Sequence, residues 1–449
     1  MTAVESAAIA AQRRLVAANP RDVIALHNLG VELRKADRLD EALAVMERAL
    51  ALGATAPETA TVYAHLLADF GRFDEAVAAY LRVLAANPGH LDAHETLARL
   101  LPQIGQRATA LDAYTDALAR APDIGALWIS ALATAKDLRD ADRLIDWTAA
   151  AEARFGSEPL LGLLAAQAHS WRGEDGAALA RLRPVIAADP HNAGAQATLA
   201  QLCIRSGDLA AAEEAALAAT RIAPDDQTAW SLLTVIWRMT GDPREIWLAD
   251  YERLVLEIEL DRIDLAATTG VLANLHRTAE HPAEQSVRGG TQTRGNLFDK
   301  ADPAIRALRK SIADAIDTAL AGLPDDPSHP FLRRKSTGFA FAGSWSVRLR
   351  SEGHHIGHIH PAGWLSSAAY IALPPEVAGS QREGALAFGV PETLLGVDLT
   401  PRRVVAPRAG MLVLFPSYFW HGTLPFTSVA PRMTVAFDAL PVDKSPTHQ

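Results

Sequence analysis

The sequence predicts a multidomain α + β protein, with an N-terminal α-solenoid followed by a C-terminal double-stranded β-helix (jelly roll) with flanking helices. Turn and helix-stop residues return every 34 positions in the first half of the chain. From Thr337 onward the pattern changes to short β-rich runs separated by glycine and proline, which is typical of a double-sheet barrel. The predicted boundaries are 1–243 for the solenoid, 244–335 for a helical connector and 336–449 for the β domain.

Two sets of markers define the repeat. Helix-stop positions fall at Pro20, Ala54, Pro88, Pro122, Gly156, Pro190 and Pro224, and turn positions at Asp37, Gly71, Gly105, Arg139, Gly173, Gly207 and Gly241. Glycine permits a left-handed turn between helices, and proline stops the second helix. A 34-residue period of two antiparallel helices is the tetratricopeptide period, so we predict six to seven units. Asp137–Asp140 replaces the glycine turn of the fourth unit, which predicts a local distortion there.

A solenoid of such repeats has a concave groove, and grooves of this kind commonly bind partner proteins. We therefore expect a protein or peptide to bind there. The alternative is that the repeats only rigidify or dimerise the protein.

Composition and charge exclude several classes of function. The formal net charge is −10, which disfavours nucleic acid as a partner. No run of 18 apolar residues and no signal-peptide pattern is present, so we expect a cytoplasmic protein without a membrane partner. The single cysteine, Cys203, excludes an internal disulfide and a cysteine-based metal cluster, and its apolar neighbours predict a core position.

The connector combines helical patterns with one long polar stretch. Trp247–Ile258 and Ile263–His276 have amphipathic patterns, and Asp302-Pro303 predicts the capped start of a helix that reaches about Leu320. Between them, 281–298 is rich in Gly, Gln, Thr and Ser, which predicts a loop over the mouth of an active site. The candidate substrate-contacting residues in it are Gln285, Arg288, Gln292 and Thr293. The alternative is a surface loop that merely bridges domains.

Seven runs in the β domain have strand patterns: 338–342, 345–350, 365–373, 384–388, 403–406, 411–415 and 433–438. Between the second and third runs, His358 and His360 alternate in extended chain, so both point to the same side. A third imidazole from another strand, His421, would complete a facial set of three metal ligands and leave positions open for substrate and oxidant.

Arg432 and Thr434 are predicted to return to the same cavity through a hairpin whose turn is 424–431. An arginine fork with a hydroxyl suits a carboxylate, and Tyr370 could donate its hydroxyl to the same group, although core packing is nearly as good an interpretation. A metal with open positions beside a carboxylate anchor indicates an oxo-acid cosubstrate.

Other residues near the histidine motif have less defined roles. Trp345 and Arg348, on the preceding strand, are candidates for substrate contact. His354 and His355 adjoin Glu352-Gly353 in a predicted turn, so we interpret them as solvated or as supporting the ligands from outside.

These residues together resemble the bacterial branch of the Fe(II)- and 2-oxoglutarate-dependent oxygenases that carries tetratricopeptide repeats. The resemblance covers roughly the last 170 residues. The matching motifs are 285–293 (QSVRGGTQT), 343–346 (GSWS), 358–361 (HIHP), 414–417 (LFPS), 420–423 (WHGT) and 432–434 (RMT). The wider superfamily has His-x-Asp as its first ligand pair, whereas here His360 stands at the position of the acid.

The resemblance implies that His358, His360 and His421 bind Fe(II), and that Arg432, Thr434 and Tyr370 bind 2-oxoglutarate. It implies O2 as oxidant, with ascorbate as a possible reductant, and hydroxylation of a protein, peptide or carrier-bound substrate recruited by the repeats. Two alternatives remain open from the residues: a non-catalytic repeat scaffold with a metal-binding barrel, and a cupin-like three-histidine oxygenase that does not use 2-oxoglutarate.

Overall fold

The chain forms helical hairpins first and β-strands second. The computed structural model describes residues 6–281 and 286–442. The helices are α1 Ala7–Ala18, α2 Val23–Lys35, α3 Leu39–Ala51, α4 Pro57–Asp69, α5 Phe73–Ala86, α6 Leu91–Gln103, α7 Asp112–Arg120, α8 Gly125–Asp137, α9 Ala141–Phe155, α10 Pro159–Trp171, α11 Asp175–Ala188, α12 Ala193–Ser206, α13 Leu209–Ile222, α14 Gln227–Thr240, α15 Arg244–Leu248, α16 Tyr251–Leu254, α17 Leu265–Leu275 and α18 Pro303–Gly322. The strands are β1 Leu256–Glu259, β2 Val287–Gln292, β3 Gly338–His358, β4 Leu365–Ala372, β5 Leu386–Phe388, β6 Arg403–Val405, β7 Met411–Pro416, β8 His421–Thr423 and β9 Arg432–Val442.

The 34-residue markers lie where the hairpins turn, so the predicted helical solenoid is confirmed. Gly71 has φ 76° between α4 and α5, and Arg139 has φ 51° at the same point between α8 and α9. The Asp140 N–H donates to Ala135 O (2.9 Å), just as the Arg72 N–H donates to Leu67 O (2.9 Å). The turn therefore keeps the geometry of the other repeats, because Arg139 adopts the left-handed conformation that glycine adopts elsewhere; a distortion of the superhelix there stays a prediction.

The chain divides into two compact units within α8, between Thr134 and Ala135. The first unit contains the helices up to that point, together with Asp299–Ala301 and the short segment that begins at Arg277. Lys300 Nζ lies 2.7 Å from Asp37 Oδ1 in this unit. The second unit contains the later repeats and every strand of the described residues. The three-way domain division stays a prediction.

The strands form one curled antiparallel sheet in the order β1-β7-β4-β9-β3-β8-β5-β6, and β2 also pairs with β3. β3 is long because the two predicted runs 338–342 and 345–350 are continuous with the histidine motif. Its first part pairs with β9 and its last residues pair with β8. His358, at the end of β3, is therefore placed next to β8 rather than next to β9. The jelly-roll arrangement stays a prediction.

Three local predictions are wrong. The predicted helix Trp247–Ile258 ends at Leu254, and β1 follows it, because Leu256–Glu259 alternates apolar and acidic side chains and pairs with β7. The polar stretch 281–298 contains β2, whose Gly290 leaves no room for a Cβ beside Arg348 O (2.7 Å). The hairpin over 424–431 is also wrong, since β3 lies between β8 and β9.

The other connector helices agree with the sequence. α17 follows the pattern of the second predicted helix, and α18 begins after Asp302, whose side chain accepts a hydrogen bond from Ala304 N (2.8 Å). α18 buries the five predicted apolar positions Ile305, Leu308, Ile312, Ile316 and Leu320. None of the helices in the described residues combines the length and hydropathy that crossing a bilayer requires.

Within the second unit, α14 packs directly against the segments that carry the histidines. Gln227 N donates to Pro361 O (3.0 Å), directly after His360. The buried indole of Trp420, directly before His421, donates from Nε1 to Ser231 O (2.9 Å). Arg238 Nη1 donates to Gly389 O (2.9 Å). The last repeat helix therefore belongs to the same core as the strands.

We expect Trp420→Phe to lower the free energy of unfolding by about 1–2 kcal/mol, because the variant loses a buried hydrogen bond. Chemical denaturation of the purified protein measures this loss. Trp230→Phe is the matched control, since the Trp230 indole makes the same kind of bond to Pro224 O (3.0 Å) at the surface. Equal losses in the two variants would contradict the structural role of Trp420.

Candidate metal centre

Three histidines meet because two strands and a chain turn bring them together. His358 on β3 lies directly opposite His421 on β8. His360 follows the end of β3, where its backbone N–H donates to Ser417 O (3.0 Å). One side-chain nitrogen from each of the three lies within 4.8 Å of the others. This separation is suited to a single metal ion.

Hydrogen bonds determine which ring nitrogen of each histidine is free. His358 Nδ1 lies 2.9 Å from Ile356 O, and His421 Nδ1 lies 2.9 Å from Phe419 O. A carbonyl oxygen only accepts, so both Nδ1 atoms must carry the proton. His360 Nδ1 lies 2.7 Å from the Asp438 carboxylate. Nε2 is therefore the unprotonated nitrogen of His358 and His421, and it is also the nitrogen of His360 that is left for a metal.

Burial keeps the imidazoles of His358 and His421 neutral. Burial, followed by the neighbouring His360, lowers the pKa of His358 to about 3. Burial and the neighbouring imidazoles likewise hold the pKa of His421 well below its usual value. A neutral imidazole is the form that binds a metal, so no proton has to leave these two rings at neutral pH.

The histidines line a cavity of about 550 Å³. Its wall consists of Ser286, Gln292, Trp345, Val347, His355, His358, His360, Ser367, Ala368, Leu386, Phe415, His421, Gly422, Thr423, Arg432, Thr434 and Ala436. The Phe415 ring lies 4.6 Å from the His421 ring, and Trp345 stacks on His360 at 6.0 Å. These aromatic rings give part of the wall an apolar surface, which limits contact between the site and water.

Arg432 is a buried cation in this cavity without an acidic partner. Its side chain is 2% exposed, and none of the ion pairs among the described residues includes it. Its Nε has no hydrogen-bond partner in the described part of the chain. Burial lowers its pKa. A buried guanidinium without an anion is costly, so the cavity is suited to an anionic ligand.

Tyr370 and Thr434 lie next to Arg432. The two residues pair across β4 and β9, and Thr434 shares a face of β9 with Arg432. The Arg432 guanidinium lies over the Tyr370 ring, 5.0 Å from its centre. Tyr370 Oη is buried and also has no hydrogen-bond partner among the described residues. Tyr370 therefore packs beneath the guanidinium, outside the set that lines the cavity.

Sequence reasoning missed Asp438, which accepts the hydrogen bond from His360. Ser366 Oγ donates to the same carboxylate (2.7 Å) and lies 2.8 Å from Ser417 Oγ. Burial raises the pKa of Asp438, but its interaction with His360 and the hydrogen bond from the Ser366 hydroxyl outweigh burial, so the net pKa is lowered. Strand alternation was the available signal, because Asp438 shares a face with Arg432 and Thr434.

His355 and Ser286 also belong to the cavity wall. Ser286 Oγ lies 3.0 Å from His355 Nδ1 and 3.1 Å from His358 Nε2. Burial holds the pKa of His355 well below its usual value, so the solvated interpretation of this residue is wrong and the supporting one agrees with its position. His354, by contrast, does not line the cavity.

The candidate substrate residues separate into two groups. Gln292 and Trp345 line the cavity, and Gln292 Oε1 is buried without a hydrogen-bond partner among the described residues. Gln285 lies outside the described residues. Arg288, Thr293 and Arg348 do not belong to the cavity wall.

Arg288, Thr293 and Arg348 each make contacts outside the cavity. Arg348 alternates with Val347 and pairs with Met433, on the opposite face of β3. The Thr293 hydroxyl accepts a hydrogen bond from Ser346 N (2.9 Å). Arg288 Nη1 donates to Val287 O (2.7 Å). The position of these residues therefore gives no support for substrate contact.

His276 packs against the face of β3 that is opposite to the cavity, and its burial leads to a prediction about stability and pH. Its Nδ1 lies 2.8 Å from Thr291 Oγ1 and its Nε2 3.0 Å from Ser346 Oγ. Burial, and secondarily Arg348, lowers its pKa from 6.5 to about 4. The unfolded chain binds this proton more readily, so the contribution to stability is full above pH 6.5 and is lost as pH falls towards 4.

We expect the free energy of unfolding of the wild-type protein to fall by up to about 3 kcal/mol more than that of His276→Gln over this range. Denaturation curves at pH 7, 5.5 and 4 measure the difference. Parallel pH profiles for the two proteins would contradict a buried, neutral His276.

Comparison with known proteins gives separate matches for the two parts of the chain. Residues 343–438 match a family model described as "Putative 2OG-Fe(II) oxygenase". Two tetratricopeptide-repeat models match, one at 33–100 and 175–236 and the other at 6–57. Comparison with curated proteins gives no match.

Two solved structures are similar to the repeat part. A tetratricopeptide repeat protein from Parabacteroides merdae is 19% identical over 51% of this chain and 89% of its own, with a TM-score of 0.33. YrrB, described as a TPR protein with an unusual peptide-binding site, is 19% identical over 49% of this chain and 97% of its own, with a TM-score of 0.28. The family models show that the chain carries tetratricopeptide repeats and, at 343–438, a domain described as "Putative 2OG-Fe(II) oxygenase".

Proposed function

We propose that this protein is an Fe(II)- and 2-oxoglutarate-dependent dioxygenase that hydroxylates a protein, peptide or carrier-bound substrate. One observation carries the proposal: a cavity wall that contains three convergent imidazoles also contains a buried guanidinium without an acidic partner among the described residues. The first feature is suited to a metal ion and the second to a carboxylate. A dianionic oxo-acid that binds a metal satisfies both.

The three histidines fit a divalent metal by their donor chemistry. Each Nδ1 is engaged by an acceptor, which leaves Nε2 as the metal-binding nitrogen of each ring, although His358 Nε2 must first give up its contact with Ser286 Oγ (3.1 Å). Three protein ligands from two strand ends leave coordination positions open to small molecules. His358, His360 and His421 would hold the metal, and their hydrogen bonds fix the ring orientation before the metal arrives.

Arg432 and Thr434 would hold the distal carboxylate of 2-oxoglutarate. The guanidinium can donate two parallel hydrogen bonds, and the Thr434 hydroxyl adds a third. The Tyr370 ring holds the guanidinium in place by packing. These contacts orient the cosubstrate and compensate the charge of Arg432, because the pair replaces an isolated buried cation.

When bound, iron with 2-oxoglutarate and O2 supplies the oxidative decarboxylation that releases succinate and hydroxylates a C–H bond. The residues of the chain supply orientation and a cavity with limited access to water. Phe415 and Trp345 cover two of the histidine rings. Gln292, with its unpaired Oε1, is the best supported group for contact with the substrate.

A cavity among the repeats supports recruitment of a peptide. It has a volume of about 520 Å³ and is lined by small residues, mainly alanine, and by polar side chains that include Gln167 on α10, Gln201 on α12 and Asp226 directly before α14. Gln167 Oε1 is buried and accepts no hydrogen bond from the described residues. Asp226 and Thr228 of this lining flank Gln227, which bonds to Pro361 O beside His360. An extended peptide in this cavity would lie close to the histidine motif.

The experiment is turnover of 2-oxoglutarate by the full chain. Protein loaded anaerobically with Fe(II) is expected to bind 2-oxoglutarate by calorimetry, and to release succinate when O2 and ascorbate are added. Uncoupled turnover without a substrate is the first readout, and a peptide library then identifies the substrate by a mass increase of one oxygen.

The alternatives give different results in the same assay. Metal-dependent O2 uptake that ignores added 2-oxoglutarate would favour a cupin-like three-histidine oxygenase. No binding of 2-oxoglutarate to the iron-loaded protein would leave a repeat scaffold with a metal-binding β domain.

A further inference from the structure

The three candidate ligands are not anchored in the same way. His358 and His421 donate from Nδ1 to backbone carbonyls two residues before them. These acceptors are neutral and local in sequence. His360 instead donates to Asp438, which lies 78 residues away and carries a full negative charge. The only ligand bonded to an acid is therefore the one at the position where a His-x-Asp pair would have its acid.

The Asp438 carboxylate is itself held in place. Ser366 lies opposite it across β4 and β9, and donates to it from Oγ (2.7 Å). Ser366 Oγ is 2.8 Å from Ser417 Oγ, and Ser417 O accepts the His360 N–H (3.0 Å). The four residues form a closed ring of contacts. The Asp438 side chain is 18% exposed, so solvent screens its charge only in part.

The positive charge of the cavity explains why a carboxylate such as Asp438 is needed beside the ligands. Among the described residues, the wall of the cavity contains no aspartate or glutamate, and its one full charge is the Arg432 cation. A divalent metal on three neutral imidazoles would raise the buried charge to +3. A ligand set of two histidines and one carboxylate would lower this sum by one. Asp438 lowers it by the same amount, from one hydrogen bond outside the ligand set.

We propose that Asp438 is a positioning residue that supplies, through His360, the negative charge that a three-histidine ligand set lacks. It fixes the His360 tautomer and raises the basicity of its Nε2, which strengthens the bond to the metal. The inference rests on the metal centre of the proposed function. It does not depend on 2-oxoglutarate.

The test is the metal affinity of Asp438→Asn, measured anaerobically by calorimetry with Fe(II) and with Co(II) as a spectroscopic probe. The amide keeps the shape and removes the charge, so we expect affinity to fall roughly 10- to 100-fold. Affinity for 2-oxoglutarate, measured at saturating metal, is expected to stay the same or to rise, since the site becomes more positive. A purely structural role would weaken both together.

Two further variants complete the experiment. Glu245→Gln is the matched control, because it makes the same change in a buried carboxylate that pairs with Arg402 (2.8 Å) away from the cavity. Its metal affinity should equal that of the wild type. Ser366→Ala keeps the Asp438 charge but removes one of its anchors, so a loss of roughly 3- to 10-fold is expected.

Metal affinity within about threefold of the wild type in Asp438→Asn overturns the inference. If this variant does not fold, Ser366→Ala decides, and an unchanged affinity there overturns the inference as well. A protein that binds metal with the expected differences but does not bind 2-oxoglutarate would contradict the proposed function and leave this inference intact.

Discussion

His421→Ala is expected to abolish succinate formation and to lower Fe(II) affinity by at least about 100-fold. His421 is 6% exposed, faces His358 across β3 and β8, and supplies one of three nitrogens. Two imidazoles on one strand end cannot form a facial set. Calorimetry with Fe(II) measures the affinity, and chromatography of the reaction mixture measures succinate.

His354→Ala is the matched control for this prediction. It makes the same substitution four residues before His358, but His354 does not line the cavity and bonds through Nδ1 to Glu352 O (3.0 Å). Its turnover and metal affinity should stay within about twofold of the wild type, as is usual for changes away from a site. Succinate formation by a correctly folded His421→Ala protein, checked by circular dichroism and thermal melting, would contradict the assignment of this ligand.

The repeats were predictable because each marker residue answers a local requirement. A left-handed turn recurs every 34 residues, and glycine satisfies it at most positions. Arg139 satisfies the same requirement with φ 51°, which no propensity predicts for arginine. The preference of a single residue against this conformation therefore does not prevent the turn.

The site was predictable to the extent that strand alternation governs it. His358 with His360, and Arg432 with Thr434, follow a period of two, so each pair was placed on one face from sequence alone. Asp438 obeys the same period but was missed, because its role depends on a contact with a residue 78 positions away. The same lack of pairing information made β8 and β9 look like a hairpin, although β3 separates them.

Segments with mixed signals were harder to predict. Leu256–Glu259 continues a helical pattern but also alternates strictly, and pairing with β7 decides in favour of a strand. The glycines of β2 suggested a loop. In the sheet, Gly290 is required instead because the backbone of β3 approaches it too closely for any side chain.

Substitution of Arg432 is expected to change 2-oxoglutarate binding and protein stability in opposite directions. Arg432→Met removes the fork that would hold the distal carboxylate, so the KM for 2-oxoglutarate should rise about 100-fold or more. Arg432→Lys keeps the charge without the fork, and an intermediate rise of about tenfold is expected. Steady-state kinetics over a range of 2-oxoglutarate concentrations measures both.

The same Met variant should be more stable than the wild type when no ligand is present. The wild-type Arg432 is 2% exposed and has no acidic partner among the described residues, so folding must desolvate a charge that is compensated only in part by the Tyr370 ring. Replacing it by an apolar chain of similar length removes this cost, and we expect a gain of about 1–3 kcal/mol in the free energy of unfolding. Thermal melting of the metal-free protein measures the change.

Arg205→Met separates this effect from a general tolerance of arginine loss. Arg205 is also buried, but it pairs with Asp175 and donates to Leu394 O (3.1 Å). Its removal leaves those groups unpaired, so this variant should lose stability and keep its affinity for 2-oxoglutarate. Stabilisation by added 2-oxoglutarate should therefore occur in the wild type and in Arg205→Met, and vanish in Arg432→Met. A loss of stability in Arg432→Met without ligand would show that the guanidinium has a structural partner. It would contradict the proposal that the cavity binds an anionic cosubstrate.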